Sequence, residues 1–241
     1  MLDKIDSAST EVMIEELKKE LLSFANPKRA VVMQRYFKTG RGQYGEGDEF
    51  LGVSMPDARK VAHKYSHITL DEVRMLLHSK IHEERMLAVL ILLLKCKDDP
   101  SGIAKFYIKY MKHVNNWDLV DVSAPRILGL YLLLGDRSIL YKLAKSPNLW
   151  ERRASILSTL TFIRNGQFED TFKIAEILLR DKHDLMHKAV GWMLREVGNY
   201  DIAAEEKFLK KHYKEAPRTM LRYAIEKFPE SKRRLYLDGR V

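Results

Sequence analysis

The residues with the clearest chemical potential lie between Asn115 and Asp121, where the sequence reads Asn-Asn-Trp-Asp-Leu-Val-Asp. An asparagine before Trp117 is a common helix N-cap, so Trp117 falls in the first turn of a helix. Asp121 follows four residues later and therefore lies on the same helix face. An aromatic ring beside a carboxylate could hold a cationic group. The pair also fits a simpler interpretation, with the tryptophan in the core and the aspartate complementing the helix dipole.

Two later segments also place a tryptophan near charged residues. Arg152 and Arg153 follow Trp150 and precede an apolar helical stretch, and Trp192 lies one helical turn before Arg195. Aromatic faces attract positively charged rings, and arginines bind phosphates. Together with the Trp117 segment, these residues predict a groove that holds a cationic base within a polyanionic strand.

The elements that must position these residues are helices. Almost every segment has helical period, and five alanines in apolar stretches, at positions 88, 124, 154, 189 and 224, are separated by 36, 30, 35 and 35 residues. That separation is typical of α-solenoids, in which two helices and two short turns form one repeat. The sequence therefore predicts an all-α fold. It would be a HEAT-like helical-repeat solenoid, a single domain over residues 1–241 with a concave basic groove.

Several helix boundaries can be predicted directly. Residues 10–24 form an amphipathic pattern with apolar residues three and four apart. Thr69 followed by Glu72 predicts a capping box at the start of a helix over residues 70–78. Ser54 before Pro56 predicts another helix start.

One segment lacks helical period. Residues 39–52 contain five glycines, and Gly40, Gly42 and Gly45 have the GxGxxG spacing of a dinucleotide-binding turn. That turn requires a preceding buried strand, whereas a helical pattern precedes it here, so we reject this interpretation. The segment predicts a loop or short hairpin. It could be a flexible connector, or it could place Arg41 and Tyr44 on a partner.

The composition favours a polyanionic partner. Lysine and arginine number 42 against 33 acidic residues, a net charge of +9, and nucleic acid is the commonest polyanion that such proteins meet. The longest apolar run, residues 86–94, is far shorter than the roughly 18–20 residues that cross a bilayer. The single cysteine, Cys96, is expected to be buried, in a reducing compartment. We therefore expect a cytoplasmic monomer without membrane contact.

Histidine pairs four residues apart offer the remaining candidate ligands. His63 and His67, His78 and His82, and His183 and His187 have this spacing. Two histidines without a nearby cysteine or suitable acid rarely form a metal site. We interpret all three pairs as solvated helix faces, and we expect neither a metal nor a cofactor.

The chain resembles the AlkD-like DNA alkylation repair proteins, the HEAT-repeat DNA glycosylases of bacteria, over nearly its full length. The motifs that carry the resemblance are Asn-Trp117-Asp-Leu-Val-Asp121, Trp150-Glu-Arg-Arg153-Ala-Ser-Ile-Leu and Lys188-Ala-Val-Gly-Trp192-Met-Leu-Arg195-Glu. Weaker matches surround Tyr36 and the Phe-Leu-Gly-Val stretch that begins at residue 50.

The resemblance implies a monofunctional glycosylase that excises cationic N3- and N7-alkylated purines, such as 3-methyladenine and 7-methylguanine, from double-stranded DNA. It implies that Trp117 and Trp192 lie against the lesion nucleotide and that Asp121 is the catalytic carboxylate. Arg153 would lie near the lesion backbone and Arg195 would contact the DNA backbone. Asp121 must be ionised, so a buried position needs a partner, and Arg153 or a helix N-terminus could serve.

Further residues complete the predicted DNA surface, and departures from the family keep alternatives open. We expect Tyr36, Arg152 and Arg41 to contact DNA, and the bound protein to associate with the nucleoid. Ser54 and Thr161 replace a glutamine and a lysine of the family, and the glycine-rich segment is an insertion. A non-catalytic binder of damaged or branched DNA is one alternative. A protein–protein scaffold, a common use of HEAT-like arrays, is the other.

Overall fold

The computed structural model describes the backbone of residues 2–241 and the side chains of residues 12–241, and it divides into two compact units. The first unit ends at Leu119 and the second runs from Val120 to Val241. The helices of the first unit are α1 (Leu2–Ser23), α2 (Pro27–Tyr36), α3 (Met55–Lys64), α4 (Leu70–Leu77), α5 (His82–Lys95), α6 (Pro100–Tyr110) and the start of α7 (Trp117–Ala124). Those of the second are the rest of α7, α8 (Leu130–Leu132), α9 (Ser138–Ala144), α10 (Leu149–Arg164), α11 (Glu169–Leu178), α12 (Asp184–Tyr200), α13 (Ile202–His212), α14 (Arg218–Ala224) and α15 (Glu230–Leu237).

Helix α5 is the centre of the first unit. Its sequence is apolar on all sides from Met86 to Leu94, and every residue from His82 to Leu92 is buried, as expected for a helix surrounded by others. Helices α3 and α4 pack against it. Their starts are fixed as the sequence predicts: the Ser54 hydroxyl caps α3, and Thr69 and Glu72 form a reciprocal capping box on α4.

The glycine-rich segment is an irregular loop that is held against α5. The predicted hairpin alternative is wrong, because among residues 2–241 the only strand-like pairing is an isolated bridge between Glu49 and Ile81. The buried Glu83 carboxylate accepts hydrogen bonds from the backbone N–H groups of Leu51 (3.0 Å), Gly52 (2.7 Å) and Val53 (3.2 Å). Gly52 has a φ of +78°, and a Cβ there would lie 2.2 Å from the carbonyl oxygen of Asn26. The segment is therefore anchored at its C-terminal end and is not a free connector there.

Helices α10 and α12 form the centre of the second unit. All residues of α10 from Arg153 to Ile163 are buried. Helices α9, α11 and α12 pack against α10, and α14 packs against α12. Between α7 and α8 the chain forms a π-helical turn, Pro125–Gly129, which also packs against α10.

The predicted all-α class is confirmed, and each of the periodic alanines lies on a helix. They lie on α5, α7, α10, α12 and α14, and each is at most 1 % exposed. Small buried residues at a regular spacing let neighbouring helices of a repeat approach closely. The organisation as one continuous domain stays a prediction. In the part of the chain that the structure describes, no helix combines the length and the apolar character needed to span a membrane.

Gly191 lies at a close contact between α12 and α14, and its replacement by alanine is expected to destabilise the protein. A Cβ at Gly191 would lie 2.4 Å from the carbonyl oxygen of Met220 and 2.6 Å from the Cβ of Tyr223. Overpacking costs about 1–3 kcal/mol, whereas the better helix propensity of alanine offsets only about 1 kcal/mol. We expect a lower midpoint of urea denaturation with an unchanged slope.

The matched control is Gly135→Ala, because a Cβ there would meet its nearest neighbour, the Tyr131 carbonyl oxygen, at an ordinary 3.6 Å. This variant should leave the midpoint nearly unchanged. A Gly191→Ala protein as stable as the parent would contradict the tight packing of α12 on α14.

Candidate functional site

The central feature of the site is a bidentate ion pair between Asp121 and Arg153. The Nε of Arg153 donates to Oδ1 of Asp121 at 2.7 Å, and its Nη2 donates to Oδ2 at 2.8 Å. Two parallel hydrogen bonds of this kind fix the orientation of both planar groups. The side chain of Arg153 is 6 % exposed, whereas that of Asp121 is 19 % exposed. The arginine is therefore internal, and the carboxylate still reaches the surface.

The sequence around Arg153 explains its fixed position. Asn148 caps α10 through the backbone N–H of Trp150, and the Trp150 side chain is buried. This places Arg153 in the second turn of α10. Its Nη1 donates to the carbonyl oxygen of Leu185 at 2.6 Å. Three directional hydrogen bonds hold the guanidinium, so it presents a prearranged partner to the acid.

The π-helical turn begins one helical turn after Asp121. Pro125 lacks the N–H that would bond the carbonyl of Asp121 in a regular α-helix. The Thr161 hydroxyl donates to the carbonyl oxygen of Pro125 at 2.6 Å. A Cβ on Gly129 would lie 2.5 Å from the carbonyl oxygen of Ser158, so the turn lies directly against α10. Thr161 is thus part of the packing that supports the acid-bearing helix.

Trp117 begins α7, as predicted, and lies in an aromatic cluster of the first unit. Its ring stacks on Phe37, with centroids 5.1 Å apart and planes at 15°, and meets the edge of Tyr36 at 5.8 Å. Tyr36 is 64 % exposed, Trp117 is half-buried and Phe37 is buried. The tryptophan face is therefore backed by a buried ring and bordered by an exposed one.

A buried polar network lies beneath these rings. The Nε2 of His82 is 2.8 Å from Oδ2 of Asp118, and its Nδ1 is 3.3 Å from Oδ2 of Asp48. Arg85 pairs with the other oxygen of Asp48 at 2.6 Å. The Asn116 side chain donates to Asp48 at 3.3 Å and accepts from the backbone N–H of the residue that follows it at 2.8 Å. The network joins the glycine-rich segment to the start of α7.

The interpretation of His82 as a solvated residue is wrong. Its side chain is 2 % exposed, because α5 is surrounded by other helices and the glycine-rich segment covers its start. His63, His67 and His78 are exposed, as expected. The sequence gives no local signal for the network, since its partners are 34 and 36 residues from His82. Within the described residues, no group of three His, Cys, Asp or Glu side chains is placed to hold a metal ion.

Trp192 and Arg195 lie on one face of α12 in the second unit. The indole N–H of Trp192 donates to the Glu196 carboxylate at 2.9 Å. Arg195 forms ion pairs with Glu226 and, at 3.7 Å, with Glu196. Both side chains are partly exposed. The acidic partners fix the ring and reduce the local positive charge, and a phosphate would compete with them for Arg195.

The remaining predicted residues differ in how free they are. Arg152 donates to Asp181 at 2.6 Å and to the carbonyl oxygens of Ser146 and Pro147, both at 2.9 Å, so its guanidinium already supports the local fold. Arg41 lies exposed in the glycine-rich segment. The structure thus brings Asp121 together with Arg153. It separately brings Tyr36 together with Trp117.

Comparisons with known proteins identify the family and the fold of the chain. The family described as DNA alkylation repair enzyme matches residues 17–228. One solved structure, a predicted DNA alkylation repair enzyme from Enterococcus faecalis, is similar in fold with a TM-score of 0.69 at 17 % identity, covering 86 % of this chain and 97 % of that chain. No curated protein matches the sequence. Because the family match spans most of the sequence, the chain belongs to the DNA alkylation repair enzyme family.

Proposed function

We propose that this protein is a monofunctional DNA glycosylase that hydrolyses the N-glycosidic bond of N3- and N7-alkylated purines in duplex DNA. Its family is one of DNA alkylation repair enzymes. The observation that carries the finer proposal is the partly exposed Asp121 carboxylate, held in a bidentate pair by a buried arginine. The substrates that we propose are purines such as 3-methyladenine and 7-methylguanine.

The chemistry requires a carboxylate and no strong acid. Alkylation at N3 or N7 gives the purine a positive charge, so the base departs as a neutral molecule when the C1′–N9 bond breaks. The sugar then acquires oxocarbenium character, as in glycoside hydrolysis. Water forms the new C1′–O bond and loses one proton. Asp121 would stabilise the positive sugar and orient or deprotonate that water.

Arg153 prepares Asp121 for this role by keeping its carboxylate ionised and oriented. A bidentate arginine stabilises the ionised form of a carboxylate. An ionised carboxylate offers about four lone-pair sites, and Arg153 occupies two of them. The arginine thus keeps the acid charged and aligned.

Aromatic and basic residues would hold the substrate. We propose that Trp117 and Trp192 offer their faces to the cationic nucleotide, because such faces attract positively charged rings. Arg195 and the exposed Arg41 would contact backbone phosphates. Tyr36, exposed beside Trp117, would extend the aromatic surface. Because Arg152 is engaged by Asp181, its contribution would be to hold the start of α10.

The test is base release from methylated duplex DNA. We expect the protein to liberate 3-methyladenine or 7-methylguanine, measured by chromatography, and to leave abasic sites that break only after alkali. Unmethylated duplex of the same sequence is the control. Tight, salt-sensitive binding to damaged or branched DNA without release would contradict the glycosylase and favour the non-catalytic reader. Absence of DNA affinity at low salt would favour a scaffold.

A further inference from the structure

The His82 network requires two N–H donors on the imidazole ring, and a neutral histidine has only one. A neutral imidazole has one N–H donor and one acceptor nitrogen. Here both ring nitrogens face carboxylate oxygens, from Asp118 and from Asp48. A neutral ring would therefore direct a lone pair at one of the two acids. While both carboxylates are ionised, only the imidazolium, with its two N–H groups, satisfies both.

The charged groups around His82 also favour the protonated imidazolium. The charged groups that face it are Asp48 from the glycine-rich segment, Asp118 from α7 and Arg85 from α5 itself. They sum to one negative charge, which an imidazolium neutralises. Burial on its own lowers the pKa of His82, but the hydrogen bonds to Asp118 and Asp48 outweigh burial, and the pKa is raised above its ordinary value. Burial opposes ionisation of Asp48 too, yet its bond to His82 and the charge of Arg85 keep its pKa below the usual range.

The same ring also supports the aromatic cluster. The imidazole stacks on Phe50, with centroids 4.6 Å apart, and contacts Phe37 at 5.1 Å. Phe37 in turn stacks on Trp117. Asp118, the partner of His82, is the next residue after Trp117. Protonated His82 therefore holds Trp117 in two ways, through its backbone neighbour and through the ring behind it.

We propose that His82 is a positioning residue whose protonated ring, clamped between Asp48 and Asp118, fixes the face of Trp117 for the alkylated base. The proposal rests on the proposed function for its catalytic consequence. Its structural half concerns Trp117 alone and can be tested without DNA.

The sign of the pH dependence follows from the raised pKa. The imidazolium persists above the ordinary histidine value of about 6.5. Its contribution to stability and to the placement of Trp117 is complete at low pH and is lost as the pH rises through the raised value. Base release per bound complex should fall over the same range. A misplacement of about 1 Å costs on the order of a hundredfold in rate, so we expect a loss of about ten- to a hundredfold.

The first experiment follows Trp117 by fluorescence. In a protein carrying Trp150→Phe and Trp192→Phe, Trp117 is the remaining tryptophan. Its accessibility to acrylamide should rise in one titration as the pH is raised above the ordinary histidine pKa of about 6.5. His82→Gln should abolish the titration. Asp118→Asn, which removes one carboxylate from the partly exposed side of the clamp, should move its midpoint to lower pH.

A second titrating group provides the control. Glu205 is buried in the second unit, and burial raises its pKa to about 8. Glu205→Gln removes that group and should leave the Trp117 titration unchanged. No titration in the parent protein would overturn the proposal, as would an unchanged titration in both His82→Gln and Asp118→Asn.

The second experiment measures single-turnover release of 7-methylguanine across the same pH range. We expect the rate to fall with the midpoint of the Trp117 titration, and His82→Gln to give a slow rate without that midpoint. If neither the parent protein nor the variants release base, the proposed function fails. The fluorescence titration would still decide whether His82 positions Trp117. A rate of base release that does not change at the midpoint of the Trp117 titration would overturn the proposed effect of His82 on catalysis.

Discussion

Asp121→Asn is expected to slow the release of alkylated purines by at least about 100- to 1000-fold, the effect of removing one well-placed electrostatic group from an active site. Asparagine keeps the shape of the side chain but carries no charge. It cannot stabilise a positive sugar or accept the proton of the attacking water. The measurement is single-turnover base release from duplex DNA that contains 7-methylguanine.

The loss should be one of chemistry and not of binding. Removal of one negative charge slightly favours DNA association, so Asp71→Asn, on the exposed surface of α4, is the matched control for net charge. Both variants should bind methylated duplex about as tightly as the parent, whereas only Asp121→Asn should lose release. Because Arg153 would retain a single acceptor in asparagine, a denaturation curve must accompany the assay. A folded Asp121→Asn protein with normal release would contradict the mechanism.

Glu83→Ala is expected to lower the free energy of unfolding by about 2–6 kcal/mol, because it leaves two buried backbone N–H groups without their acceptor. The substitution leaves the N–H groups of residues 51–53 without the carboxylate that accepts them. Each buried donor without a partner costs about 1–3 kcal/mol. Urea denaturation followed by far-ultraviolet circular dichroism measures the change.

A local measurement separates loss of this anchor from general instability. Arg41 lies in the glycine-rich segment and Lys38 directly precedes it, and both are trypsin sites. In Glu83→Ala, cleavage at these sites should accelerate under native conditions more than cleavage elsewhere. Glu15→Ala, on an exposed part of α1, should change stability by no more than about 0.5 kcal/mol. Equal trypsin rates in Glu83→Ala and the parent would show that the carboxylate does not hold the segment.

The sequence predicts those features that recur or that lie close together in the chain. Helical period and alanine spacing identify the all-α class, and the capping residues locate the starts of α3 and α4. The need to keep Asp121 ionised makes Arg153 a candidate partner, and the structure pairs them. The pairing can be predicted because the two residues carry complementary charges on neighbouring repeats.

The features that the sequence does not predict depend on contacts between distant residues. A histidine spaced four residues from another is typical of a helix surface, and nothing nearby indicates that Asp48 and Asp118 enclose His82. The glycine count predicts irregular backbone but not the carboxylate of Glu83 that holds it. Packing between elements decides these contacts, and local periodicity carries no information about it.

Because of the π-helical turn at Pro125–Gly129, the direction in which Asp121 points depends on the number of residues in that turn. A π turn accommodates one residue more than the α-helical path that it replaces. Each residue of an α-helix turns the chain by about 100°. Deleting one residue of this turn would therefore rotate Asp121 away from Arg153 while leaving every remaining side chain intact. The ion pair depends on a single inserted residue as much as on the identities of the aspartate and the arginine.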